Sequence, residues 1–262
     1  MTPDRLPELD RTTWPELRDR IASYAPEEAH PAPRSYPGYP RVALDPVGPR
    51  LWPPLDRVLR SRRSSAKLGA KPPTRKALSR LLYFAHGCQD AMGRGPTPSS
   101  GGLQSLELYV ATSFQACRIE PAESGIHSPS GRRASLEARP HATWLPDGVH
   151  HYDRVGHYLS QVADRMSPDE WRTMIPSLTL VEGGELLWII VGDGERIEKK
   201  YGPRGARFLL LEAGHLMQNL CLLSASLGLV TTPLGGFLER DIARCLRLPK
   251  GDMVLYCGVG GA

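Results

Sequence analysis

The run Phe208–Leu229, FLLLEAGHLMQNLCLLSASLGL, follows a basic segment, KKYGPRGAR, and constrains the fold of this chain more than any other stretch. Its length suits a membrane span, which takes about 20 apolar residues. Glu212, His215, Gln218 and Asn219 interrupt it, however, and such groups are costly in hydrocarbon. Positions 212, 215 and 219 follow i, i+3, i+7 spacing and therefore share one helix face. The segment reads as a buried helix with a polar stripe, which needs partners within the chain, across a subunit interface or on a ligand. Lys200, Tyr201, Arg204 and Arg207 lie in the preceding segment, read as a turn. Reactive groups fixed at the mouth of a rigid core suit a cofactor site.

The formal charge is +5, and eight Lys or Arg without an acid lie between Arg57 and Lys76. That balance suits nucleic acid, a membrane surface, an acidic protein or a phosphorylated cofactor, and a solvated basic face is the plain alternative. Aromatic platforms are not interleaved with it, which argues against nucleic acid. The five cysteines, Cys88, Cys117, Cys221, Cys245 and Cys257, never form a CxxC pair. This speaks against a disulfide framework or structural zinc, and no histidine spacing suggests a metal. The N-terminal stretch has no apolar secretory region, so a cytoplasmic, non-membrane setting is expected. No phosphate-binding Walker loop or GxSxG elbow occurs, and GDG at 192–194 is an incomplete dinucleotide fingerprint.

Residues 1–50 read as a Pro-rich arm with one short helix near Thr13–Tyr24, and residues 51–262 as the body. In the body, Thr74 caps an amphipathic helix, LELYVAT and ELLWIIV read as buried strands, and GVHHYD as a short one. DRVGHYLSQVADRM reads as helical, Ser167 as the cap of the next helix, and TTPLGGF as an interruption. Residues 114–140 read as a polar excursion. Together these predict an α+β chain with three or four strands and helices on both sides.

RSRRSS, PSSGGLQ, KYGPRGARF and PLGGF, in this order from Leu59 to the C-terminus, resemble the flavin-dependent nitroreductase superfamily. GVHHYD and KKYGPRGARFLLLEAGHLMQNL look most like its azoline dehydrogenase branch, the SagB-type enzymes. The resemblance implies a nitroreductase-like α+β fold, with a central mixed or antiparallel sheet and a long buried helix at a homodimer interface. It implies FMN held there, and oxidation of thiazolines or oxazolines to azoles on a peptide or carrier-bound intermediate. Cyclodehydratase or assembly-line proteins are the partners it suggests.

Carried over residue by residue, the resemblance gives Arg62, Arg63 and Ser64 to the phosphate and ribityl chain of FMN. Ala66 stands where the family has a further basic residue, and Lys67 falls one place late. Pro98, Ser99, Ser100 and Gln104 match the loop that reaches the flavin, often from the partner subunit. Pro233, Leu234, Gly235 and Gly236 match the segment against the ring. Arg204 and Arg207 are candidates to replace the basic tail that this chain, ending in GVGGA, lacks. Lys200 and Tyr201 match the pair that serves proton removal. An ammonium beside the phenol is expected to favour the phenolate, and Gly202-Pro203 to supply the turn that lets both face one site. An NAD(P)H-dependent nitro or quinone reductase is the alternative enzyme, and a non-catalytic flavin-fold scaffold the alternative of another class. Glu212, His215 and Asn219 are candidates for polar contacts across the dimer.

Overall fold

Leu106–Ala111 (β2) and Leu186–Gly192 (β5) lie side by side at the centre of a seven-stranded sheet, with every residue of both buried. The protein is described as a computed structural model, over residues 13–24, 33–49, 51–69, 72–114 and 144–261. The polar excursion, apart from its first residue, falls outside them. The other strands are Arg41–Ala43 (β1), Val149–Asp153 (β3), Tyr158–Ala163 (β4), Val230–Leu234 (β6) and Met253–Gly261 (β7). Their order is β1-β4-β3-β2-β5-β7-β6, and all neighbouring strands are antiparallel.

Strand side chains alternate between faces, and β5 shows what this does. Trp188 and Ile190 enter one cluster with Leu78, Leu81 and Leu82 of Arg75–His86 (α3) and with Leu209, Leu216 and Leu220. The last three belong to Gly205–Ser226 (α6), the helix that the long apolar run forms. Leu187, Ile189 and Val191 enter the opposite cluster, with Trp171 of Pro168–Met174 (α4) and Ile242 of Glu239–Cys245 (α7). The result is an α+β fold with a central antiparallel sheet flanked by helices. Leu216 is fully buried against α3 and the sheet. Leu216→Ala is expected to cost about 2–5 kcal/mol in urea denaturation, from the lost apolar burial and the cavity left behind.

Three readings of the sequence change here. Residues 154–166 form a turn and then β4, because the Asp153 carboxylate accepts the N–H of Val155 at 3.1 Å and of Gly156 at 2.7 Å. That side-chain cap closes a hairpin, and β4 is then covered on both edges by β3 and β1, which outweighs the helical spacing of its apolar residues. The segment read as an interruption at 231–237 begins as β6, an edge strand, the place where a sheet tolerates Pro233. The strands therefore number seven among the described residues, beyond the three or four predicted.

Segments before residue 50 join the body at several points. Trp14–Ser23 (α1) carries the capping pair Thr13–Glu16 and buries Leu17. Arg34 donates to Asp252 at 2.5 Å, and the Tyr36 and Tyr109 hydroxyls are 2.6 Å apart.

Candidate active site

The helix Gly194–Tyr201 (α5) starts where Asp193 caps the Arg196 N–H at 2.9 Å and stops at Gly202, whose φ of 57° and ψ of −149° no helix allows. A single 3-10 turn, Gly202–Arg204, then leads into α6. Lys200 and Tyr201 thus occupy the last turn of a helix, where the sequence reading had a turn. Gly202-Pro203 makes the break just after them.

Both side chains converge on the loop before β2. Lys200 Nζ donates to the Gly101 carbonyl at 3.4 Å. Gly101, at φ 59°, leaves no room for a methyl group: a Cβ there would collide with Tyr201 Oη and lie 2.6 Å from Lys200 Nζ. The loop itself is pinned twice. The Ser100 N–H donates to Glu212 Oε1 at 2.6 Å, and the Gln104 N–H to Ser99 Oγ at 2.7 Å. Pro98 lies exposed at its start. The Lys200 ammonium stands over the Tyr24 ring at 4.8 Å and the Tyr201 ring at 5.6 Å.

The electrostatics differ from the expected phenolate. Burial raises the Tyr201 pKa, and Glu212 and Tyr24 raise it further. Tyr201 is therefore a neutral phenol at neutral pH. The Glu212 carboxyl is also raised, chiefly by burial, against the lowering effect of its bonds to Ser100 and Ser99. A carboxyl that holds its proton more tightly in the native state than in the unfolded chain loses stability as pH rises through that window. Glu212→Gln keeps an acceptor for the Ser100 N–H, so it is expected to melt higher at neutral pH. It should also show a flatter dependence of Tm on pH above the ordinary carboxylate range.

The remaining candidates gather elsewhere. Arg62, Arg63 and Ser64 follow Leu55–Ser61 (α2), and the next residue is tied to β6: Ser65 N donates to Thr232 Oγ1 at 2.9 Å, and Thr232 Oγ1 to Ser65 O at 2.9 Å. This brings the basic segment beside Pro233–Gly236, whose Gly236 carbonyl accepts from Ser177 Oγ at 2.8 Å. The Arg62 charge also reaches Cys221, opposing the burial that pushes that thiol up to about 11. Glu212 and Cys221 mark the two groups on α6, separated by about 14 Å at 1.5 Å per residue. Arg204 and Arg207 are at the α6 N-terminus, so one chain does not bring them to Arg62–Ser64. The two candidate groups of a single subunit therefore lie at different levels of one helix.

Against these geometries, the family model described as "Nitroreductase family" matches residues 59–261. The chain belongs to the nitroreductase family. A relative from Methanocaldococcus jannaschii, named as a nitroreductase, is 28% identical over 201 residues, covering 77% of this chain and 88% of its own. Among solved structures, one named as a nitroreductase from Ralstonia eutropha has a TM-score of 0.61 at 20% identity, over 88% of this chain and 93% of that one. A chain of the Escherichia coli microcin synthetase McbBCD complex, with truncated pro-MccB17 bound, has a TM-score of 0.57 at 18% identity, over 98% and 97%. These structures share the fold.

In this member of the family, the polar stripe of α6 is answered mostly inside the chain. Glu212 Oε1 holds the loop, and Asn219 Nδ2 donates to Ala85 O at 3.2 Å and Thr97 Oγ1 at 3.3 Å, so both groups find partners within one chain. His215 is exposed. The sequence reading missed a set of charges inside the fold, the buried Glu107 and Arg154 and the half-buried Arg34. Glu107 inside the apolar LELYVA was the visible signal, since a charge there must be paired.

Proposed function

We propose that the protein is an FMN-dependent dehydrogenase that oxidises azolines to azoles on a peptide or carrier-bound intermediate. The observation that carries this reading is the convergence of Lys200 and Tyr201 on Gly101, with Glu212 fixing the same loop. Aromatising an azoline requires loss of a proton from one ring carbon and a hydride from its neighbour. Tyr201, a phenol here, and the Lys200 ammonium beside it are suited to donate hydrogen bonds to the ring heteroatom, which acidifies the adjoining ring C–H so that its proton leaves to water. The likeness to a chain of a microcin synthetase complex, which extends over 98% of this chain, supports the reading and the suggestion of partner proteins.

The residues present fit FMN. Among the described residues the Arg62 and Arg63 guanidiniums have no ion-pair partner, and open space surrounds Gly235. Arg62 and Arg63 would hold the phosphate and Ser64 the ribityl chain, with Gly235 and Gly236 offering backbone N–H groups beyond Pro233 and Leu234. When bound, FMN supplies the hydride acceptor. Pro98, Ser99, Ser100 and Gln104, with Arg204 and Arg207, would serve the cofactor of a second copy, since they sit at the other level of α6. The outward face of that helix suits a homodimer: Leu210 is 46% exposed, Leu211 55%, and Gly214 faces open space.

A second reading, an NAD(P)H-dependent nitro or quinone reductase, is favoured by the name of the Methanocaldococcus relative. The test common to both is the visible spectrum of the purified protein, with mass spectrometry of the released chromophore. FMN is the expected result, and protein that stays colourless with added FMN would exclude both.

A further inference from the structure

Beyond Gly101, the same loop turns its other side to a cleft of ≈ 350 Å³. Gly102, Leu103 and Gln104 form one wall, and Ala91, Met92 and Val155 an apolar rim. Two arginines and two acids border it, and three of these four are answered. Asp90 pairs with Arg94 at 2.6 Å, and Glu107 with His151 at 2.9 Å. Arg196 pairs with Asp193 at 3.2 Å and donates to the Gln104 carbonyl at 2.9 Å.

Arg154 is the exception. It is only 7% exposed, yet the single hydrogen bond of its side chain among the described residues runs from Nε to the His86 carbonyl at 3.2 Å. Among the described residues Nη2 is enclosed without an acceptor, and no carboxylate lies within ion-pairing distance of the guanidinium. Burial lowers its pKa, and nearby Cys88, Glu107 and Tyr152 offset only part of that. A guanidinium keeps its charge in proteins. A buried charge without a partner costs several kcal/mol, and such a charge at the edge of a cleft marks a candidate ligand site. His86, beside it, does not compete: burial and Arg154 push it down to about 3, so it stays neutral.

We propose that this cleft binds a carboxylate of the substrate, with Arg154 as its anchor and the Met92–Val155 rim covering the adjoining apolar part of the ligand. A carboxylate oxygen can meet Nη1, the one guanidinium nitrogen that is neither enclosed nor already hydrogen-bonded, in a charge-assisted hydrogen bond. The carboxylate comes either from a chain terminus or from an acidic side chain. Only the nature of its carrier, a peptide delivering an azoline past the Gly102–Gln104 wall toward Lys200 and Tyr201, rests on the dehydrogenase reading. The anion site rests on the cleft and Arg154.

Titration calorimetry on the FMN-loaded full chain tests this with three probes: N-acetyl-triglycine, its C-terminal amide, and N-acetyl-Gly-Asp-Gly-amide. The terminal carboxylate is expected to bind at least tenfold tighter than the amide. An equal gain with the Asp probe would assign the site to side-chain carboxylates as well. Arg154→Gln should erase the difference, and Arg154→Lys should keep part of it. Met92→Glu, at a position 58% exposed where folding tolerates the exchange, should weaken the carboxylate probes several-fold and leave the amide unchanged. Equal affinity of carboxylate and amide for the unaltered protein overturns the proposal, as does a difference that survives in folded Arg154→Gln. These titrations contain no azoline, so carboxylate discrimination without azoline oxidation would sink the proposed reaction and leave the site standing.

Discussion

Tyr201→Phe is expected to retain its bound FMN and its melting temperature while azoline oxidation falls by about 100-fold or more, the scale on which a positioned proton-handling group contributes. The hydroxyl is the only atom removed, and its surroundings define what is lost. Tyr201 Oη faces Gly101 beside Lys200 Nζ, while the ring packs edge-on against Phe208 at 4.7 Å. Phenylalanine keeps that packing. Parallel measurement of kcat, KM and flavin content separates the outcomes. A loss confined to kcat supports a role in the chemical step, and a loss of flavin would mean that Tyr201 serves binding. Full activity would remove the proton-handling pair from the account while leaving the fold and family untouched.

The second large effect is expected from Gly101→Ala. The backbone there is left-handed, which costs a residue with a Cβ about 1–2 kcal/mol. The new methyl group would also displace the Lys200 ammonium and the Tyr201 hydroxyl together. Misplacement of reacting groups by about 1 Å can cost on the order of 100-fold, so kcat should fall far more than stability does. Gly102, at φ 75°, carries a similar backbone strain with nothing within 4 Å of a Cβ. Comparing Gly102→Ala with Gly101→Ala therefore isolates the displacement from the strain. Equal kcat values for the two variants would show that the collision has no functional consequence.

The parts of the fold that were legible in the sequence are those where one local signal dominates. The buried strands β2 and β5 announced themselves as apolar, β-branched runs, and α3 and α4 by the Thr74 and Ser167 caps. Strand β4 was hidden because Val155, Tyr158, Leu159 and Val162 have helical spacing. Only the Asp153 turn and pairing on both edges, which are tertiary facts, decide against a helix. The Lys200-Tyr201 pair was visible as a motif, but its protonation was not. An adjacent ammonium suggested a phenolate, whereas burial and the carboxyl of Glu212, a distant residue in the alignment of charges, raise the pKa instead. Glu212 and Asn219 were recognisable as polar groups needing partners, yet nothing in the sequence names Ser100, Ala85 and Thr97 as those partners. Arg154 was the least visible, because its lack of a counter-charge among the described residues appears only when segments far apart in the sequence close a cleft around it.

The central claim, that the substrate itself delivers the hydride, is tested most directly by anaerobic mixing of the purified protein with a thiazoline-containing peptide, without NAD(P)H. Bleaching of the oxidised-flavin absorbance, with a peptide product lighter by two hydrogens, is the predicted result. Flavin that stays oxidised with the azoline peptide and bleaches on addition of NADPH would contradict it.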